Sequence, residues 1–432
     1  MTLRRRPIRR WSSPRPRPMS RRGLLGALPL GAAGIAGLVA CEPGARERAT
    51  PSPTAPPSPV DPTPTLLGEQ AAVVEPGTLR LPLEMTVMIV VDPGWTAAPQ
   101  QLDGIFLGHT RDGDALRFTA ADQAGTLLWS ARRPPGCEAA VLTRDASTRT
   151  VAVLPDLTAD GGTTLTGYRL RGAERLWGPL AVPGPPVGPG LLVAAADGTG
   201  RAALDAGTGE TLLAEAGLQG DRLLAEHHGT VLCTDGDELV ALAGASLRDS
   251  VTGPDVAAVA ERWRITLPAG IDAASAEITG PIDPITSHAV LRGADGTGAL
   301  LDLSDGRILA EGVTAAAHDH ALDVTVVVSG RTVRGLAADG TDAWQHEDPE
   351  SVVLISAGER LAYAQRPEEG TLLVLDTSQG QLVNPYDVDL EGPLAVPELF
   401  SADAATSVYV EDTRYLVTTA LDEDYGLRDE TS

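Results

Sequence analysis

Two short histidine groups, His227-His228 and His318-Asp319-His320, are residues whose types and spacing could do chemistry. Side chains two apart on a strand share a face, so His318 and His320 could offer two imidazoles to one metal ion. A metal site usually needs three or four ligands, and the sequence supplies no identifiable third. The expected reading is therefore a polar turn ahead of the apolar run Val324–Val328. Acidic turns at Asp112-Gly113-Asp114, Asp235-Gly236-Asp237-Glu238 and Asp295-Gly296 carry oxygens that could meet Ca²⁺. None has the full spaced set of a calcium loop, so hairpin turns are expected there. No G-x-S-x-G elbow occurs, and lysine is absent altogether, which removes the phosphate loop that depends on it. Sequence order is silent on a Ser/His/Asp triad, whose members can come from anywhere in a chain. The expectation is no catalytic residue, no metal and no cofactor.

A different chemistry is written near the start. The stretch before Gly23 is rich in arginine, Gly23 to Ala40 is apolar and small, and Cys41 follows. This is the grammar of a signal peptide, and its glycine content argues against a membrane-spanning helix. Ser20-Arg21-Arg22-Gly23-Leu24-Leu25 resembles a twin-arginine export signal, with Leu24 where that signal usually has Phe and Gly26 where it has Lys. Leu38-Val39-Ala40-Cys41 resembles a bacterial lipobox. The resemblance implies that the Cys41 thiol accepts diacylglycerol, that cleavage leaves Cys41 as residue one, and that the protein is lipid-anchored on the extracytoplasmic face of a cell membrane. The rival reading is an uncleaved N-terminal anchor helix. Met19 is a second candidate start, and either start keeps the signal.

Nine of the 34 basic residues lie in the first forty, which hold no acid, so the remainder sets 25 basic against 58 acidic side chains, a formal charge of −33. Such a surface repels nucleic acid and anionic lipid headgroups. Aromatic residues make up only 3%, leaving the core to Val, Leu, Ala and Ile. Cys137 and Cys233 are expected as two separate thiols, since a disulfide needs close Cα atoms and they fall in different repeats. From about Glu42 to Thr65 the chain is Pro-, Ser- and Thr-rich, the composition of an extended stalk that cannot bury enough apolar surface to fold.

The elements that must position these residues are strands. Apolar runs recur between turn signals at Thr86–Val91, Val151–Leu154, Leu191–Ala195, Thr230–Cys233, Val324–Val328, Leu372–Leu375 and Arg414–Thr418, with no convincing helical period. A turn of one design repeats: Leu204-Asp205 with Gly209, Leu301-Asp302 with Gly306, Leu375-Asp376 with Gly380, and Leu421-Asp422 with Gly426. Aspartate caps such a turn through its side chain and glycine supplies positive φ. A large or apolar residue often follows four positions later, and Trp129, Trp177, Leu213, Trp263, Ala310, Trp344 and Asn384 mark the series. Six intervals over 255 residues give about 42 each, the length of a four-stranded propeller blade. The copy at Asp422 adds an eighth, which a strand from within Thr78–Asp92 would complete. The expectation is an all-β propeller of eight rather than seven blades. Its parts are a signal at 1–40, a linker at 41–66, the propeller at 67–426 and an acidic tail at 427–432.

Strand, Leu-Asp, short turn, Gly, strand and Trp together resemble the PQQ-like propeller repeat found in quinoprotein dehydrogenases and in BamB-type lipoproteins. For a working quinoprotein the resemblance implies a vicinal disulfide clamp and a Glu/Asn/Asp calcium cage. This chain has no adjacent cysteines, and Asn384 is its single asparagine. The expected function is a monomeric, non-enzymatic protein-interaction scaffold of the cell envelope, held to the bilayer through Cys41, with an envelope protein as partner and no nucleic acid. The alternatives are a solute- or glycan-binding sensor and a channel-based hydrolase, lyase or quinoprotein. Trp95, outside the repeat position beside Pro93-Gly94, is expected in a loop on one face, where contacts gather.

Overall fold

A computed structural model describes residues 62–86, 88–195, 198, 200–218, 221–249, 261–296, 298–402 and 405–418. Arg21, Arg22, Cys41, most of the linker, Asp422, Gly426 and the acidic tail lie outside the described residues.

The described strands form eight antiparallel sheets. Blade one runs Gln100–Leu102, Ile105–Asp112, Ala115–Asp122, Thr126–Arg133, and blade two Val141–Arg144, Thr150–Leu157, Thr163–Arg169, Arg175–Ala181. Blade three has Leu192–Ala194, Arg201–Leu204 and Thr211–Ala214, its inner edge reduced to a Pro186–Val193 bridge. Blade four runs Leu223–His227, Thr230–Asp235, Glu238–Ala243, Glu261–Thr266; blade five Glu277–Thr279, His288–Arg292, Gly298–Asp302, Ile308–Val313; blade six Ala315–Asp319, Val324–Ser329, Thr332–Leu336, Asp342–Glu347. Blade seven keeps Val353–Gly358, Leu361–Arg366 and Thr371–Asp376, its fourth strand shrunk to a Leu375–Leu382 bridge. Blade eight takes Val396–Phe400, Thr406–Val410 and Thr413–Thr418 from the C-terminal end and Ile89–Trp95 from the N-terminal end.

That last pairing closes the ring. Ile89, Val90 and Val91 face Thr418, Val417 and Leu416 across the ladder. The closing strand overlaps the expected Thr78–Asp92 window only from Ile89 onward, because Leu83–Met85 is a 3₁₀ turn. Two further strands cover the seam on its outside. Thr65–Gln70 adds a fifth strand to blade one, and Ala72–Val74 a fifth to blade eight.

Each blade is buried on both faces, which explains why second strands read as continuous β-branched and aliphatic runs rather than alternating ones: Val324–Ser329 is buried at four consecutive positions. The buried apolar side chains fall into eight clusters, each joining two neighbouring blades, and the last pairs Val91, Trp95, Ala405 and Leu416 of blade eight with Phe106 and Ala121 of blade one.

The tryptophan series and the Leu-Asp turns form one device. Trp177 Nε1 donates to the Ala206 carbonyl at 2.8 Å, Trp263 to Leu303 at 2.9 Å and Trp344 to Thr377 at 2.5 Å, each acceptor being the residue after Asp205, Asp302 or Asp376 in the next blade. The turn glycines accept the same rings. A Cβ on Gly209, Gly306 or Gly380 would lie 2.5, 2.7 or 2.3 Å from Trp177, Trp263 or Trp344, and all three have φ between 69° and 80°. Trp129 likewise donates to Leu170 at 2.6 Å, with Ala173 at φ 52° in the glycine slot. Small residues face each ring across its own blade: Ala120, Gly167, Ala241 and Gly335.

Two expectations are corrected here. Trp95 is fully buried between blades eight and one, its Nε1 donating to the Thr119 carbonyl at 3.0 Å, so it is core rather than a surface loop. Asn384 packs no neighbouring turn. Its Oδ1 accepts from the Tyr386 amide, and the segment around it bends away to pair with residues 80–83, whose Leu79, Leu81 and Met85 fill the joint between blades seven and eight.

Candidate functional site

The polar residues that could do chemistry gather at one end of the first strands, where each strand turns into the second. First strands of adjacent blades lie beside one another, as Gln100–Leu102 beside Val141–Arg144 and Ala315–Asp319 beside Val353–Gly358 do, so these turns form one row along the inner edges of the blades. The turns are tight. Asp103-Gly104, His228-Gly229 and Glu359-Arg360 each hold two successive residues at positive φ, the two-residue hairpin geometry that matches strand twist. His228, at φ 49°, is one of the residue types that tolerate this region.

A row of contacts links these turns from blade to blade. Arg144 of blade two makes an ion pair with Asp103 of blade one and donates from Nη1 to His228 Nδ1 of blade four at 3.3 Å. The His228 ring stacks on His227 with centroids 3.9 Å apart. His227 Nε2 meets Ser287 Oγ of blade five at 3.0 Å. Asp283, in the same connection as Ser287, accepts the Ile285 and Thr286 amides at 3.0 and 2.7 Å and reaches His320 Nε2 of blade six at 3.4 Å. His320 packs edge-on to His318, whose Nδ1 lies 2.9 Å from Thr325 Oγ1, and that hydroxyl lies 3.2 Å from His288 Nδ1. Asp319 accepts the Arg360 amide of blade seven at 3.1 Å and the Thr377 hydroxyl.

Beneath this row sits Glu226, buried among blades two to four. It accepts the Gly229 amide at 2.8 Å, the Leu191 amide at 3.0 Å and the Thr143 hydroxyl. Glu226 thus braces the joint where blade three has almost no first strand.

Burial governs the protonation of these groups. It drives His227 down to about 3, helped by His228 and Arg144, and His228 and His318 down to about 4, with Arg144 and His320 respectively adding to the effect. His288 is lowered by burial as well. Burial raises Glu226 to about 7 despite its three donors. For Asp283 burial pushes upward, but the His320 hydrogen bond and the Thr286 amide outweigh it and hold the carboxyl well below the usual range. At neutral pH His227, His228 and His318 are therefore uncharged, as the Arg144–His228 contact requires, since a guanidinium can only donate and Nδ1 must accept.

The geometry bears on each chemistry raised by the sequence. His318 and His320 do share a site, but they face Thr325 and Asp283. Among the described residues no group of three or more His, Cys, Asp or Glu could hold a metal ion. Ser287 and His227 form a hydroxyl–imidazole pair, while the Asp283 carboxylate is taken up by backbone amides, Thr286 and His320. The acidic turns are hairpins: Asp112–Asp114 and Asp235–Glu238 join paired strands, and Asp235 and Glu238 both bind Arg264. Cys137 and Cys233 are separate buried thiols, pushed up by burial to about 11 and 12. Two small cavities, of about 130 and 140 Å³, open elsewhere, the first beside Ile271 and Asp295, the second beside Cys233 and Arg264. Of this site the sequence offered the histidines. Arg144, Glu226, Asp283 and Ser287 carry no local pattern; only the adjacency of Glu226 to His227-His228 could have drawn notice.

No protein-family model and no curated protein matches this chain. Solved structures do. BamB from Moraxella catarrhalis aligns at TM-score 0.44 and 15% identity, covering 82% of this chain and 97% of that one. Sqt1 of Saccharomyces cerevisiae aligns at 0.38 and 11%, covering 82% and 100%, and the computationally designed protein Ika8 at 0.35 and 15%, covering 82% and 98%.

Proposed function

We propose that this chain is a lipid-anchored, extracytoplasmic β-propeller that serves as a non-enzymatic protein-interaction scaffold in the cell envelope. The observation carrying the non-enzymatic part is the row of turns just described: its histidines and carboxylates are taken up by contacts between blades, so at neutral pH they hold a face together rather than form a reacting centre. The anchoring part rests on the sequence, through the export signal at Arg21-Arg22, the lipobox ending at Cys41 and the Pro-rich stalk. A closed ring of short hairpins offers two faces and a rim with little conformational entropy to lose on binding, which suits a docking platform. The strongly acidic surface favours a partner with a basic or neutral contact face.

The test is affinity capture of the protein from its own membranes after mild cross-linking, beside a Cys41→Ala variant that should stay unanchored. A stoichiometric envelope protein recovered with the wild type and lost with Cys41→Ala is the expected result. Recovery of the propeller alone would overturn a stable protein partner and favour the small-molecule or glycan reading.

A further inference from the structure

The histidine row is asymmetric in a way that the rest of the fold is not. Around the outer part of the propeller, neighbouring blades are joined by indole N–H groups and apolar clusters, none of which titrates. In this row of inner turns, blades two, four, five and six are joined through imidazoles: Arg144 to His228, His227 to Ser287, His320 to Asp283, and His288 to His318 through Thr325. The blade-four contacts have a defined protonation requirement. The Arg144 contact needs a bare Nδ1 on His228, and stacking at 3.9 Å leaves no room for water between the His227 and His228 rings if both become cations.

We propose that this row of histidines is an acid-released latch: protonation frees the first-to-second strand turns of blades four, five and six, while the tryptophan-docked remainder of the propeller stays closed. In the blade-four turn the charged or titratable groups facing the rings are Arg144 of blade two, which repels the cations, and Asp283 of blade five, which attracts them. Around His318 they are His320, His288, Asp283 and Asp323, and around His288 they are Asp302, Asp283, Asp323 and Arg307. Burial is the largest influence on His227, His228, His288 and His318, so opening a turn to water is the route by which those rings gain their protons.

The direction follows from linkage. A histidine lowered in the closed turn and ordinary in the open one makes opening more favourable as pH falls below about 6.5, by about tenfold per pH unit. Glu226 opposes this, since its raised carboxyl favours the closed, protonated state as pH falls from about 7. In the blade-four turn His227 and His228 act against Glu226, and in the blade-six turn His318 acts without such an opponent. The blade-four and blade-six turns then open about tenfold more per pH unit between about 6.5 and 4.5, and the blade-five turn, through His288, opens in the same direction.

Hydrogen exchange of the full chain, read by mass spectrometry at pH 7.5, 6.5, 5.5 and 4.5 and corrected for intrinsic exchange, tests this without any variant. The expected result is protection falling about tenfold per unit between pH 6.5 and 4.5 in peptides covering 226–230 and 318–324, and falling in the same direction in 283–288, with the strands carrying Trp129 and Trp344 unchanged. Turns as protected at pH 4.5 as at 7.5 would overturn the proposal, and so would equal loss in the tryptophan strands, which would mean general unfolding. A His227→Gln, His228→Gln double variant leaves Glu226 alone in the blade-four turn, so protection at 226–230 should rise as pH falls below about 7, while 318–324 keeps its loss. A loss of protection at 226–230 that persists in this variant would also overturn the latch.

Discussion

Trp344 and Gly380 show how much of this fold rests on pairs of residues far apart in sequence. The ring needs the space that a Cβ on Gly380 would occupy, and the turn needs φ near 69° there. Gly380→Ala is expected to cost about 2–4 kcal/mol, combining left-handed backbone strain with overpacking. Trp344→Ala should cost about 3–5 kcal/mol through the cavity and the lost Thr377 hydrogen bond. In the Trp344→Ala background the ring is gone, so Gly380→Ala should cost only its backbone share, and a double-mutant cycle by urea denaturation should return a coupling of about 1–3 kcal/mol. Simple additivity would contradict the docking geometry. Gly113→Ala is the control: φ is 64° but nothing lies within 4 Å, so about 1 kcal/mol is expected. The Leu-Asp turn and the tryptophans were legible because each is a local pattern repeated along the chain. That each ring lands on the next blade's turn was not, since register between blades depends on packing. Histidine identity was legible in the sequence itself, and Arg144, Glu226 and Ser287 were not, because their partners in other blades lie 35 to 84 residues distant.

At the scale of elements, the decisive one is the strand that joins the two ends of the described chain. Ile89–Trp95 supplies the fourth strand of blade eight, with Trp95 filling the joint to blade one. A chain starting after residue 95 should lose cooperative unfolding and expose apolar surface to a hydrophobic dye, because blade eight would have a bare edge. A chain starting at residue 76 loses the strands Thr65–Gln70 and Ala72–Val74, whose side chains are mostly exposed, together with the single buried methyl of Ala71. It should fold with a moderately lower Tm. Equal behaviour of the two truncations would contradict the closure described above. The need for a closing strand was readable from the blade count. Its start was not, because the expected window Thr78–Asp92 also holds Leu79, Leu81 and Met85, apolar residues that serve as packing beneath Tyr386, in the joint where blade seven has no docking tryptophan. Trp95 misled for a related reason: the adjacent Pro93-Gly94 looks like a loop tip, but the strand bulges there and continues.

Across the whole molecule, the protonation of the buried groups sets a pH profile. His227, His228 and His318 have folded values below their unfolded ones, so their contribution is complete above about pH 6.5 and is lost as pH falls. Glu226, raised to about 7, works the other way between about 4.5 and 7, and three histidines outweigh it. Asp283, held low by His320 and the Thr286 amide, adds a loss below about pH 4. Thermal melts should therefore show Tm falling from pH 6.5 to 4.5, and a flat or rising Tm would contradict the burial of these rings. Fold class was readable in the sequence because a repeat multiplies every local signal. The location of the protein and its mode of attachment rest on Arg21, Arg22 and Cys41 alone, so they are the part of the account to test first. Intact-mass analysis of the protein extracted from its own membranes does this most directly. The account predicts a chain beginning at Cys41 with its mass raised by a diacylglyceryl group, and a soluble chain that still begins at Met1 or Met19 would contradict it.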